Sequence, residues 1–312
     1  MKRVSIHGSW NDDPDAVTLI DAHHHIWDLQ ANRYPWLTDE PETHFFMGDY
    51  TPLKRNYMPA DYKRDAAAHN VLATVHVEAE MDRATQIAET RWLGAMNAVH
   101  GMPNAIVAHA WFHDGSTAEI LAAHARFPLV RGIRSKPVTS LSPDAMRPGA
   151  PGTMQDAAWL RGFALLQRHG FSWDLRVPFW HLTEAAEVAR AFPGTPIVLN
   201  HTGFPWIRTE EGLAAWRRQM AVIAQCPNVH LKVSEFGLRD APWDFAQNGR
   251  VVHEALAIFG VERCMFASNF PVAGLRIGYD ALVRAVKRMV GHLATDDQDR
   301  FFWKNAAGFY RL

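Results

Sequence analysis

Cysteine is nearly absent from this chain: Cys226 and Cys264 are the two among 312 residues, far apart and in no ligand spacing. That excludes a disulfide framework and a thiolate metal site, and it suits a reducing cytoplasm, the compartment expected here. No run of about 18 apolar residues occurs, so no membrane-spanning helix is expected. Net charge is almost nil, −1 from 32 basic and 33 acidic side chains, with no basic block or stripe. Nucleic acid and anionic membrane are therefore not expected partners. The start, Met1 to Gly8, is positive but lacks the apolar stretch of a signal peptide. No glycine-rich phosphate turn follows any apolar run, which argues against an open dinucleotide-binding sheet. Repeats, low-complexity tracts and linkers are missing too, so a single domain over 1–312 is expected.

What the chain does hold is 48% hydrophobic residues, ample for a large core, arranged in a regular rhythm. Short apolar runs at 17–20, 72–79, 105–111, 129–134, 171–177, 196–201, 229–234 and 264–269 read as strands. Helical patterns at 59–69, 81–100, 116–127, 155–169, 182–192, 210–226, 243–259 and 279–292 alternate with them. Asp82 is a plausible N-cap, and the Ser-Thr-Ala-Glu at 116–119 reads as a capping box. Eight strand–helix units in about 300 residues predict an α/β fold, a closed (β/α)8 TIM barrel. A long aromatic loop over 27–58 follows strand one, and an extra helix at 296–309 ends the chain.

Chemistry in such a barrel gathers at the C-terminal ends of the strands. The segment Asp21-Ala22-His23-His24-His25 closes the first strand, and alternation puts His23 and His25 on one face and His24 on the other. Two imidazoles on one face can hold a metal ion or polarise a carbonyl. Strand two offers His76, Glu78 and Glu80 on one face. Strand four offers Arg131 and Arg134, of which odd spacing lets only one point inward. Later strand ends carry Asp174 and Arg176, Trp180 and His181, Asn200 and His201, Lys232 with Ser234 and Glu235, and Ser268-Asn269. Burying so many ionisable groups is costly unless they are paired or used, so the ensemble reads as a site. Lys232 has a second reading as a structural partner of Glu235 or Asp174.

The segments Ile20-Asp21-Ala22-His23-His24-His25-Ile26-Trp27-Asp28, Leu199-Asn200-His201-Thr202-Gly203-Phe204-Pro205 and Met265-Phe266-Ala267-Ser268-Asn269-Phe270-Pro271-Val272, with Asn305 to Leu312, resemble the amidohydrolase superfamily. The likeness is closest to its branch of sugar-acid lactonases and 2-pyrone-4,6-dicarboxylate lactonase. It implies a (β/α)8 barrel, hydrolysis of an ester or lactone, and convergence of His23, His25 and His201 on a carbonyl or on a divalent metal. The family's strand-eight motif usually reads Gly-Ser-Asp-Trp-Pro, its Asp serving as base and metal ligand. Here Asn269 stands in that place, and an amide neither accepts a proton from water nor matches a carboxylate as a zinc ligand.

The expected function is hydrolysis of a small polar or acidic lactone. His23, His25 and His201 would polarise the carbonyl, Asn269 would position the water, and Glu78 or Glu235 would take its proton. Arg131, Arg134, Arg176 and Lys232 are expected to bind polar groups of the substrate, and Trp36, Tyr50, Trp180 and Phe270 to wall it. The cofactor is expected to be none or one zinc or manganese, held if present by His23, His25 and His201. Two alternatives stand beside this: a metal-dependent decarboxylase of an aromatic acid, and a non-catalytic ligand-binding barrel. The partner is a small molecule, and the chain is expected to act as monomer or homodimer.

Overall fold

The computed structural model describes residues 5–312, so the first four residues of the positive start lie outside it. At its centre is one parallel sheet whose strands follow sequence order. They are β1 (Thr18–His24), β2 (Asn70–Val77), β3 (Ala105–His109), β4 (Val130–Arg134), β5 (Ser172–Leu175), β6 (Ile197–Leu199), β7 (Val229–Val233) and β8 (Cys264–Phe266). Past β8 the chain pairs back onto β1: Asn269 N donates to His23 O at 2.7 Å, and His25 N to Phe270 O at 2.7 Å. The sheet thus comes round to a (β/α)8 barrel, with its seam beside the histidines.

The outer layer holds α1 (Pro59–Asp65), α2 (Gln86–His100), α3 (Thr117–His124), α4 (Ala157–Ala164), α5 (Leu166–His169), α6 (Leu182–Ala191), α7 (Glu210–Ala224), α8 (Phe245–Phe259) and α9 (Tyr279–Met289). The expected last helix is α10 (Thr295–Asp299) and α11 (Asn305–Tyr310), joined by a π-helical turn at Arg300–Lys304. Local chemistry sets several helix starts: the Asp156 carboxylate accepts from Ala158 N at 3.0 Å, and Asp244 from Gln247 N at 2.7 Å. The expected capping box at Ser116 does not form. Ser116 instead donates its N–H and hydroxyl to Asp114 Oδ1, both at 2.7 Å, so the aspartate two residues earlier organises that turn.

Two apolar clusters divide the core. One lies between strands and helices; the other fills the barrel interior with Ile20, Ala22, Val75, Val107, Val198 and Met265. Ala306 and Tyr310 of α11 join the inner cluster, so the C-terminal helix plugs one end and leaves the mouth at the other. A register shift in β1 shapes that mouth. Asp21 faces Thr74 and His24 faces His76, so one extra residue sits on β1. Strict alternation from the inward Ala22 would turn His24 into the barrel. The bulge sends His24 to Tyr62 (ring centroids 4.7 Å apart) and His76 (5.7 Å), while His23 lies beside His25 and His201. His76 is thereby spent on the outer side. Asp21, fully buried, locks the seam by accepting from Ser268 N (2.9 Å), Ser268 Oγ (2.6 Å) and Tyr62 Oη (2.8 Å). Among the described residues no helix is long and apolar enough to cross a membrane.

Candidate active site

A cavity of about 590 Å³ opens at the mouth. His25, His201 and Asn269 face into it, Arg134, Lys136 and Arg176 flank them, and Trp36, Phe46, Trp180 and Trp206 form a wall. His201, Glu235 and Asn269 all sit in the left-handed backbone region, with φ of 57°, 54° and 55°. Non-glycine residues there cost of order 1–3 kcal/mol each and persist where the surroundings fix them, commonly at functional sites.

The polar floor can be read proton by proton. His201 Nδ1 lies 3.1 Å from Ser234 Oγ. With the serine hydroxyl donating, the ring carries its proton on Nε2, toward the cavity. Burial first, then Arg176 and Arg134, holds His201 well below the usual histidine range, so the ring is neutral at pH 7. His25 Nδ1 is 2.7 Å from Val77 O and donates to it, which leaves Nε2 as a bare acceptor 3.2 Å from Asn269 Oδ1. Asn269 Nδ2 in turn donates to Glu235 Oε2. Two acceptors meet at His25, so the Glu235–Asn269–His25 chain needs one more proton. Burial and Arg134 keep His25 neutral, so Glu235 is the group that takes up the extra proton: while it is ionised Asn269 Nδ2 donates to it, and when it is protonated the amide can turn over and donate to His25. Burial pushes the Glu235 carboxyl up to about 7, against the Asn269 and Gly237 hydrogen bonds and Arg176 that pull it down. A carboxyl titrating near neutrality is suited to take and return a proton.

The three cations divide into two anchored and one free. Arg134 Nε donates to Glu78 Oε1 at 2.7 Å and its Nη2 to Glu78 O at 2.5 Å, leaving Nη1 unbonded. Arg176 forms no ion pair among the described residues; it lies over the rings of Phe204 (5.0 Å) and Phe46 (5.5 Å). Burial lowers its guanidinium to about 10, still cationic at pH 7. Lys136 pairs with Glu80 at the cavity edge.

Several expected residues lie elsewhere. Glu78 is not a free base: Oε1 is taken by Arg134, and Oε2 by Arg83 (2.8 Å) and Glu80 N (2.9 Å). Burial alone would raise its carboxyl, yet Arg134 and Arg83 hold it well below the usual range. Arg131 sits at the plugged end, donating from Nε to Tyr310 O at 3.0 Å. Lys232 lies on the barrel floor, fully buried and paired with Asp174, which also accepts from Tyr310 Oη at 3.1 Å. Tyr50 stands behind the wall, donating to Trp36 O at 2.9 Å and accepting from Glu42 N at 2.7 Å. Phe270 packs on Tyr279 (5.0 Å) outside the cavity. His23 is set back from the cavity, buried, with neither ring nitrogen hydrogen-bonded. Sequence reasoning passed over Lys136, although its i, i+2 relation to Arg134 marks both for one face of an extended segment.

A divalent metal is a poor fit to this donor set. Among the described residues no group of three or more His, Cys, Asp or Glu side chains converges to hold an ion. The strand-eight position contributes an amide already engaged between His25 and Glu235.

The chain is 36% identical over 296 residues to the uncharacterized protein y4mH of Sinorhizobium fredii, covering 95% of this chain and 99% of that one. It is 27% identical over 305 residues to an L-fucono-1,5-lactonase of Burkholderia multivorans, covering 94% and 96%. A crystal structure of an amidohydrolase from Burkholderia multivorans with bound zinc superposes with a TM-score of 0.76 at 25% identity, covering 95% and 99%. The amidohydrolase family profile matches residues 20–312. By that match, and by the barrel with its strand-end histidines, the chain belongs to the amidohydrolase family.

Proposed function

We propose that this protein is a lactone hydrolase, acting on a small lactone that carries a carboxylate. The lactonase names of its relatives support the reaction class. The observation that carries the finer reading is that a neutral imidazole, His201, and the Asn269 amide line one cavity floor, with a carboxyl titrating near neutrality, Glu235, hydrogen-bonded directly behind that amide.

The lactone carbonyl oxygen accepts from His201 Nε2–H, which polarises it and later stabilises the oxyanion. Glu235, deprotonated and held by the Asn269 amide, takes a proton from water as the water oxygen bonds to the carbonyl carbon. Collapse of the tetrahedral intermediate breaks the bond from acyl carbon to ring oxygen, and Glu235 returns the proton to that oxygen. The product is one hydroxy acid per water consumed. Arg176, the unpaired guanidinium, binds the carboxylate, and Arg134 adds a second donor. Glu78 positions Arg134. No step is routed through a metal, because the donors present do not assemble a site for one.

The test is proton release from a γ-lactone carboxylate and from its methyl ester. Hydrolysis is expected to favour the acid, and His201→Ala is expected to abolish most of it. Full activity in His201→Ala, or no hydrolysis of either compound, would sink the proposal.

A further inference from the structure

The cavity is larger than a lactone ring and a carboxylate alone would fill, and much of its lining is aromatic. At about 590 Å³ it falls in the range that buries a drug-sized ligand. Its lining joins the charged groups Arg134, Lys136, Arg176, Glu42 and Glu80 to an aromatic wall of Trp36, Phe45, Phe46, Trp180 and Trp206, with the Arg176 guanidinium lying over the Phe46 ring. Indole N–H groups on such a wall could serve hydroxyl-rich substrates, but none is offered here. Trp36 Nε1 donates to Ala79 O at 2.9 Å, and Trp180 Nε1 to Ser140 O and Oγ, both at 3.2 Å. Trp206 Nε1 is itself buried without a partner. The wall therefore presents ring carbon to the cavity. It continues outward to Leu141, which lines the mouth with 96% of its surface exposed. An exposed leucine continuous with a half-buried aromatic wall extends the apolar surface open to a ligand.

The wall is also held in shape. Ser140 N donates to His181 Nε2 at 2.9 Å, and His181 Nδ1 donates to Glu184 Oε2 at 2.5 Å. This clasp ties the loop bearing Leu141 to the start of α6 and fixes the acceptor of the Trp180 indole. A wall fixed before binding spares the ordering cost of forming it around a ligand.

We propose that the substrate carries an apolar substituent of aryl size beyond its lactone ring, seated against Trp36, Phe46, Trp180 and Trp206 and reaching Leu141. This depends on the lactonase reading only for the polar end of the ligand. Two compounds test it: a γ-butyrolactone carboxylate and the same lactone bearing a phenyl group. Hydrolysis of both is compared, and binding of their ring-opened hydroxy acids is measured by calorimetry. The phenyl group is expected to raise kcat/KM, and to tighten binding of the opened acid, by about tenfold or more. Trp180→Ala and Leu141→Asp are each expected to shrink that ratio by about threefold or more. A ratio near one in the unmodified protein overturns the proposal, as does a ratio unmoved by both substitutions. Should Trp180→Ala fail to fold, Leu141→Asp on an exposed side chain decides alone. Failure of both lactones to hydrolyse would count against the lactonase reading, while the calorimetric ratio still decides the apolar seat.

Discussion

Replacing Glu235 by glutamine removes the proposed base while keeping its shape, and the structure gives both the loss and a gain. Glu235 is 4% exposed, and burial raises its carboxyl from an ordinary 4.5 to about 7. Only the deprotonated form takes a proton from water, so kcat/KM is expected to rise with pH through about 7 and then level. General-base catalysis is commonly worth about 10²–10⁴-fold, so Glu235→Gln should lose that factor and the rising limb with it. Stability should move the other way. A raised carboxyl pKa means that the folded state keeps its proton between pH 4.5 and about 7 after the unfolded chain has lost it. Folding stability then falls with rising pH across that window, by roughly 3 kcal/mol for one such group. The glutamine variant has no such proton to lose, so at pH 8 it should melt higher than the parent. Initial rates by proton release from pH 5 to 9, with urea unfolding at pH 5 and pH 8, measure both effects. A variant within tenfold of the parent at pH 8, still showing the limb near 7, would refute the assignment.

Three further outcomes are expected. Arg176→Met should raise KM for a lactone carboxylate by roughly 10- to 100-fold, the worth of one charge-assisted hydrogen bond, and leave KM for its methyl ester little changed; equal effects on both would remove Arg176 from carboxylate binding. Lys232→Met strands Asp174 in the barrel floor, where both side chains are fully buried; unfolding by urea should show a loss of about 3–5 kcal/mol, largely recovered by adding Asp174→Leu, and a variant of unchanged stability with a raised KM would make Lys232 a substrate ligand after all. After treatment with a chelator and desalting, the enzyme should retain its activity with well under one zinc per chain by atomic emission; a stoichiometric zinc whose removal abolishes turnover would contradict the donor geometry.

The barrel was legible because its signal is repeated: eight apolar runs at similar spacing overdetermine the fold even where single boundaries drift. The strand-end histidines His25 and His201 were legible for the same reason, since the fold places strand ends at the mouth. His23 shows the limit of that logic. Alternation put it beside His25, and the two rings are indeed 5.1 Å apart, but a bulge in β1 sets the geometry, and no sequence pattern announced that bulge. Glu78 and Glu235 were equal candidates for the base because both are acidic strand-end residues. What separates them is company: Glu78 meets Arg134 and Arg83, whereas Glu235 meets an amide. The Glu78–Arg134 and Asn269–Glu235 contacts cross between elements far apart in the chain. Arg131 and Arg134 were separable in principle by parity, yet which one turned inward depended on the register of β4, shifted against β3 between Ile106 and Val107. Tyr50 and Phe270 sit beside the wall and the seam, and an aromatic residue reads alike from either side.

Ring opening in water enriched in oxygen-18, with the product read by mass spectrometry, tests the central claim most directly. Attack of water on the His201-polarised carbonyl predicts one labelled oxygen per turnover, in the new carboxylate, and none in the new hydroxyl. Label in the hydroxyl, release of carbon dioxide, or no opening of any carboxylate-bearing lactone would contradict the account.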